Sequence, residues 1–234
     1  MVRLRFWAGW AWQTLAQRRL APLVRLRAAP SLISGAAHLP SVGTFVLALN
    51  HYKGAPTLDV IAVVLAAAEQ TRPDCANDWL VIAGKRDNPR HRLLSAAMQH
   101  IFARWERHVL HIAWRNGSPS LRGLRAWRAR CLRQASLVFP EGRTALHFES
   151  VREGSGRWLA RLPVPSLPTA VWRTDQSWHV RFGAPLVWSA RADLHDLQLS
   201  LNMARLLPPE LAPSWQADLA AWHAAHTSPE VVVH

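Results

Sequence analysis

Cysteine, lysine and long apolar runs are scarce in this sequence, and each scarcity argues against a class of protein. Only Cys75 and Cys131 carry a thiol, and they lie far apart without forming a CxxC pair. Neither a disulfide framework nor a cysteine zinc site is therefore expected, and a reducing compartment suits the chain better than an oxidising one. No stretch approaches 18 consecutive apolar residues, which argues against a helix that spans a membrane.

Size and composition indicate one globular domain. Half of the 234 residues are hydrophobic and 18% are charged, which excludes an intrinsically disordered chain. The length allows one domain with a substantial core, but it is short for two domains.

Positive charge dominates the sequence. Lysine and arginine together number 28 against 15 acidic residues, and only Lys53 and Lys85 are lysines. The planar fork of arginine suits phosphate oxygens, so anionic partners are expected. The alternative explanation for part of this composition is a codon bias towards arginine and tryptophan. Charge alone does not separate nucleic acid, anionic lipid and a phosphorylated small molecule.

Residues 1–30 form a basic and aromatic segment with no acidic residue, the first being Asp59. At helical spacing its apolar residues fall on one side, as in an amphipathic helix that lies on an anionic membrane surface. A helix packed on the domain with an arginine-rich outer face fits equally well. The remaining chain, residues 31–230, is predicted to be one domain.

Beyond residue 30, apolar strands alternate with helical patterns. Strands are predicted at 44–49, 79–83, 108–113, 136–139, 164–171 and 178–182. Helices are predicted at 57–69, 92–106, 118–134, 191–206 and 213–226. This alternation predicts an α/β domain with a mixed, largely parallel sheet flanked by helices. Ligands of such sheets bind beyond the carboxyl ends of the strands.

A histidine follows the first predicted strand. His51 comes directly after it, and Asp59 falls on the next predicted helix. A histidine can take a proton from a hydroxyl when a carboxylate holds its other ring nitrogen protonated. The two residues are therefore a candidate base and its orienting partner. Alternatively, Asp59 is a carboxylate that favours a helix start, and most of the 12 histidines have no catalytic task.

The fourth predicted strand ends in the turn 139–143, which reads Phe-Pro-Glu-Gly-Arg. Gly142 permits an unusual backbone turn. Arg143 can clamp a phosphate, and Glu141 can fix the loop or bind a substrate hydroxyl. An ordinary turn with a solvated salt bridge explains the same residues, so this motif alone does not settle a function.

Together, these strand ends resemble the glycerolipid acyltransferase family, of the lysophosphatidate acyltransferase type. The similarity begins with Asn50-His51 and the turn 139–143, some ninety residues apart. The segment 164–171 resembles the family's proline-containing fourth block, and 178–185 resembles its V-x-F-G-x-P ending. Lys85 resembles the lysine at the strand end before the family's second block, and Arg115 is a looser match for the arginine of that block.

The resemblance implies an O-acyltransferase that moves a fatty acyl group from acyl-coenzyme A or acyl carrier protein to a hydroxyl of a phospholipid precursor. His51 would be the general base, and Asp59 would orient it and stabilise its charge. Substrate-binding groups would be Lys85, Arg115, Glu141, Gly142 and Arg143. No metal and no cofactor besides the acyl donor is implied. The expected location is the cytoplasmic face of a membrane with anionic lipids. The acceptor would be a lysophospholipid, glycerol phosphate, or another hydroxylated or aminated molecule.

The sequence departs from the family in two places. The family spaces its histidine and aspartate by four residues, whereas that position is Pro56 here and Asp59 comes three residues later. In the third block, Arg143-Thr144 stands where the family often has threonine and then arginine.

A catalytically impaired lipid-binding relative is therefore an alternative function. Nucleic-acid binding rests on charge alone and leaves the Pro-Glu-Gly turn unexplained, so no nucleic-acid partner is expected.

Overall fold

The computed structural model describes residues 31–76, 78–85, 108–115, 118–175 and 177–226. The basic segment 1–30 and the predicted helix 92–106 lie outside the described residues, as does the tail 227–234. The predicted amphipathic helix and the boundaries of the predicted domain therefore stay predictions.

The described strands form a single mixed sheet. They are β1 Ser31–Ser34, β2 Val46–Leu49, β3 Leu80–Lys85, β4 Val109–Arg115, β5 Ser118–Pro119, β6 Ser136–Val138, β7 Ser166–Thr174 and β8 Ser177–Phe182. Their order across the sheet is β1-β8-β7-β2-β6-β3-β4-β5. Five neighbouring pairs run parallel, while β7–β8 and β4–β5 are antiparallel. The predicted largely parallel α/β architecture is confirmed.

Helices cover both faces of the sheet. The α-helices are α1 Thr57–Thr71, α2 Leu121–Arg130, α3 Ser155–Leu159, α4 His195–Ala204 and α5 Gln216–His226. Short 3-10 helices lie at Ala36–His38, Pro73–Cys75, Ala192–Leu194, Pro209–Leu211 and Pro213–Trp215. α1 covers one face, and α2 to α5 contribute to the core on the other.

The buried strand β2 divides its side chains between the two cores. Val46 and Ala48 lie in the core on the α2 side, whereas Leu47 and Leu49 lie in the core on the α1 side. All four are fully buried. Because successive side chains of a strand point to opposite faces, a strand covered on both faces reads as an unbroken apolar run.

Several predicted boundaries are wrong, and short elements were not predicted. Ser118 does not cap the helix that follows it, because Ser118 and Pro119 form β5 against β4. α2 instead begins at Leu121, and the Ser120 hydroxyl accepts from the Gly123 amide at 3.2 Å. β1 and α3 had no counterpart in the sequence-based prediction.

Asn50, the residue after β2, ties that strand to β7. Asn50 is buried, its side-chain amide donates to the Val171 carbonyl at 3.0 Å, and its side-chain carbonyl accepts from the Val171 amide at 2.7 Å. The side chain thus satisfies both backbone polar groups of one β7 residue at the end of the β2–β7 ladder.

Replacing Asn50 should destabilise the fold. In Asn50→Leu, two buried backbone groups of Val171 lose their partners, so the free energy of unfolding should fall by about 3 kcal/mol. Urea unfolding followed by circular dichroism measures the change. A loss below about 0.5 kcal/mol would show that this contact does not hold the strands together.

Candidate active site

The register of two neighbouring parallel strands brings the two predicted motifs together. β2 pairs with β6 so that Ala48 faces Val138, and the same offset places His51 opposite Glu141. The His51 backbone amide donates to Glu141 Oε1 at 2.5 Å. The pairing continues beyond the strands, because the Ala145 amide donates to the His51 carbonyl at 3.1 Å and the Lys53 amide donates to the Ala145 carbonyl at 2.9 Å.

The imidazole of His51 lies between an aromatic ring and a hydroxyl. Its ring stacks on Phe139, with centroids 4.3 Å apart and planes inclined by 28°. Its Nε2 atom forms a hydrogen bond with Oγ1 of Thr57 at 3.1 Å. Thr57 is the first residue of α1. The helix that follows β2 therefore begins with a side chain that contacts the histidine at the end of that strand.

The predicted partner Asp59 lies on the same helical turn, two residues after Thr57. It is half-buried, and its backbone amide donates to the Pro56 carbonyl at 2.9 Å. A carboxylate in the first turn of a helix is stabilised by the helix dipole. The role of Asp59 towards His51 stays a prediction.

Glu141 is a buried carboxyl group with a perturbed acidity. Burial raises the pKa of Glu141 from 4.5 to about 7, and the hydrogen bond from the His51 amide and the charge of Arg143 only partly oppose this rise. Removal from water disfavours the carboxylate. Near neutral pH, Glu141 is therefore divided between its charged and neutral forms.

The turn that carries Glu141 is held from both sides. Gly142 has a φ of +68°, a conformation that suits glycine, and its amide donates to the Phe139 carbonyl at 3.1 Å. The Pro140 carbonyl accepts from the Arg152 amide at 2.9 Å and from the Ser155 hydroxyl at 3.1 Å. The backbone of the turn is therefore fixed before any ligand binds.

The segment that supports this turn is itself fixed by α4. The Asp196 carboxylate accepts from the amides of Gly154 and Gly156 at 2.7 and 2.6 Å. Gly156 packs so closely that a Cβ there would lie 2.3 Å from the His195 carbonyl oxygen. Hence the position of Glu141 depends on the packing of α3 against α4.

The predicted basic residues lie at or just beyond strand ends on the same edge of the sheet. Arg143 forms an ion pair with Glu149, and both side chains are more than 60% exposed; such a pair contributes little stability and is readily exchanged for another anion. Lys85 is the last residue of β3 and Arg115 is the last residue of β4. Because these strands run parallel to β2, both residues lie at the edge of the sheet that carries His51. The side chains of Lys85 and Arg115 lie outside the part of the chain that the structure describes.

Sequence reasoning assigned no role to Thr57 or Phe139. Phe139 was visible only as part of the Phe-Pro-Glu-Gly turn. Thr57 carried one weak signal, since it follows Pro56 at the start of a predicted helix, six residues after His51. Neither signal specifies that the side chain touches the imidazole.

The comparisons with known proteins give a structural neighbour only. No family model matches the sequence, and no curated protein matches it. The fold is similar to the crystal structure of the 1-acyl-sn-glycerophosphate (LPA) acyltransferase PlsC from Thermotoga maritima. The TM-score is 0.51 at 14% sequence identity, over 86% of this chain and 88% of that chain. The chain thus has an acyltransferase-like fold.

The described residues also bear on the question of membrane and metal sites. Among them, no helix is long and apolar enough to cross a membrane. Nor do these residues bring together three or more histidine, cysteine, aspartate or glutamate side chains in a way that could hold a metal ion.

The acidity of Glu141 should appear as a pH dependence of stability. Its folded pKa exceeds its unfolded value, so the folded protein binds the extra proton between about pH 4.5 and 7, and this contribution to stability is lost as the pH rises through that window. Glu141→Gln keeps an acceptor for the His51 amide but cannot ionise.

Relative to the wild type, the Glu141→Gln protein should therefore gain about 2 to 3 kcal/mol of unfolding free energy between pH 4.5 and pH 8. Urea unfolding of both proteins at the two pH values measures this difference. A difference that does not change with pH would contradict the raised pKa.

Proposed function

We propose that this protein is an acyltransferase that moves a fatty acyl group from an acyl thioester to the hydroxyl of a phospholipid precursor. The observation that carries the proposal is the contact between two strand ends, where His51 is held by Glu141 and stacked on Phe139. The acyltransferase-like fold supports it. A positioned imidazole at the carboxyl edge of a parallel sheet is suited to general base catalysis.

In the proposed reaction, His51 removes the proton from the acceptor's hydroxyl as its oxygen attacks the thioester carbonyl carbon. A new C–O ester bond forms and the C–S bond breaks. The thiolate that leaves takes the proton from the imidazolium, so the reaction has no net proton change. Asp59 lies on the helical turn that contacts the imidazole, and its charge would stabilise the imidazolium.

The basic edge of the sheet would bind the acceptor's anionic head. Arg143 is exposed at the end of the turn and can exchange Glu149 for a phosphate. Lys85 and Arg115 would add positive charge at the ends of β3 and β4, and Gly142 brings the backbone of the turn close to the ligand. Acyl-coenzyme A and acyl carrier protein are both suitable donors.

A peripheral position on the cytoplasmic face of an anionic membrane fits this substrate class. The net charge of +13 and the arginine and tryptophan residues in 1–30 support binding to such a surface.

The second candidate is an acyltransferase-like protein that binds lipid without turnover. The observation that favours it is the hydrogen bond of His51 to Thr57, together with Pro56 at the position where the family that the sequence resembles has its aspartate. This candidate predicts binding of acyl thioester or lysophospholipid and no acceptor-dependent reaction.

Removal of the base tests the first candidate. The full chain, in vesicles that contain anionic lipid, should release free thiol from long-chain acyl-coenzyme A or acyl carrier protein only when a lysophospholipid is added. His51→Ala should reduce that rate about a hundredfold or more, because general base catalysis contributes that much. A thiol-reactive dye follows the release.

A matched variant is His179→Ala, which removes a β8 histidine that stacks on Trp172 rather than on the turn. It should keep the rate of the wild type. Unchanged turnover in a folded His51→Ala protein would rule out the proposed base. Lipid binding with no thiol release from any donor would favour the second candidate.

A further inference from the structure

The hydroxyl of Thr57 is directed at the imidazole and not at the helix that Thr57 begins. A threonine at a helix start commonly accepts from the first free amides of the helix. Here Pro56 is the N-cap residue, and no side chain caps the helix. The Thr57 hydroxyl instead contacts Nε2 of His51 at 3.1 Å. Helix formation therefore does not explain why a hydroxyl stands at this position.

The surroundings of the imidazole leave the side of Nε2, where the Thr57 hydroxyl lies, as the side that a substrate can approach. The Nδ1 atom of His51 is buried, with less than 1 Å² of accessible surface, so a substrate cannot reach it in this conformation. The other nitrogen, Nε2, has a single hydrogen-bonding direction in the plane of the ring. Thr57 Oγ1 lies within hydrogen-bond distance of it. Thr57 itself is half-buried, so it can be approached from outside.

We propose that Thr57 is a catalytic residue that relays the proton from the acceptor's hydroxyl to His51. This inference rests on the function proposed above. A hydroxyl has one donor and two acceptor lone pairs, so Thr57 can donate to Nε2 while it accepts from the substrate.

In the reacting complex the acceptor's proton moves to Thr57 Oγ1, and the proton of Thr57 moves to Nε2. The acceptor oxygen forms the ester bond to the acyl carbon, and the C–S bond of the thioester breaks. The imidazolium then returns a proton through the same hydroxyl to the leaving thiolate. Thr57 ends the cycle as a hydroxyl and is never acylated.

The rest of the site is arranged for such a relay. The stacking on Phe139 and the hydrogen bond from the His51 amide to Glu141 hold the imidazole in place, so its Nε2 faces the start of α1. Proton transfer through a hydroxyl requires fixed distances on both sides. The relay also accommodates the position of Asp59, which supplies charge on the same turn without being the group that contacts Nε2.

Three threonine variants test the relay in the full chain with vesicles. Thr57→Val replaces the hydroxyl by a methyl group and should lower kcat for acyl transfer about a hundredfold or more, with KM for the acyl donor changed less than about threefold. Thr57→Ser keeps a hydroxyl and should stay within about tenfold of the wild type. Thr71→Val makes the same change at the exposed other end of α1 and should have no effect.

The wild type provides a test that needs no substitution. If two protons move in one step, the rate in mixtures of H₂O and D₂O should fall along a curve as the deuterium fraction rises. A straight-line dependence of the rate on the deuterium fraction would show that one proton moves and would overturn the relay. Full activity in Thr57→Val would also overturn it. So would an equal loss of activity in Thr57→Ser and Thr57→Val. An acyl group found on Thr57 by intact mass spectrometry would make Thr57 a nucleophile and would also overturn it.

Failure of the relay is distinguishable from failure of the proposed function. An inactive His51→Ala protein beside a fully active Thr57→Val protein would remove the relay and leave the acyltransferase. An active His51→Ala protein would remove both.

Discussion

The parallel pairing of β2 with β6 is the constraint on which the candidate active site depends. Its register leaves His51 and Glu141 opposite each other at the point where both strands end. On the other side of β2, Asn50 closes the ladder to β7 with two hydrogen bonds. The segment that carries the imidazole is thus held between two neighbouring strands, so the position of the candidate base does not depend on a free loop.

Burial gives two residues of the turn 139–143 different electrostatic properties. Glu141 lies in the protein interior, where its charged form is disfavoured and its pKa rises to about 7, and it accepts a hydrogen bond from the backbone amide of His51. Arg143, one residue beyond Gly142, is exposed and pairs with another exposed group. The same short turn therefore combines a buried group that holds the backbone of His51 with an exposed cation of the kind that binds anionic ligands.

The sequence predicts the parts of this fold that burial determines, and it misses the parts that tertiary contacts determine. The apolar run before Asn50 and the run before Phe139 are strands because they are buried, and both were predicted. β1, with alternating half-exposed and exposed residues, and the two-residue β5 exist only through pairing with β8 and β4. Likewise, the order of His51 and Asp59 in the sequence indicates the aspartate as the partner of the histidine. The contact with Thr57 depends on where α1 begins relative to the imidazole of His51, which the sequence does not specify.

The measurement that tests the account most directly follows the acyl chain itself. The purified full chain would be mixed with an acyl thioester labelled in its acyl group and with lysophosphatidate in anionic vesicles, and the lipids would be separated and identified by mass spectrometry. The account predicts labelled lysophosphatidate that carries a second acyl chain, formed at the rate at which thiol is released. Label that appears only as free fatty acid, or that stays on the thioester with every hydroxylated lipid offered, would contradict an acyltransferase.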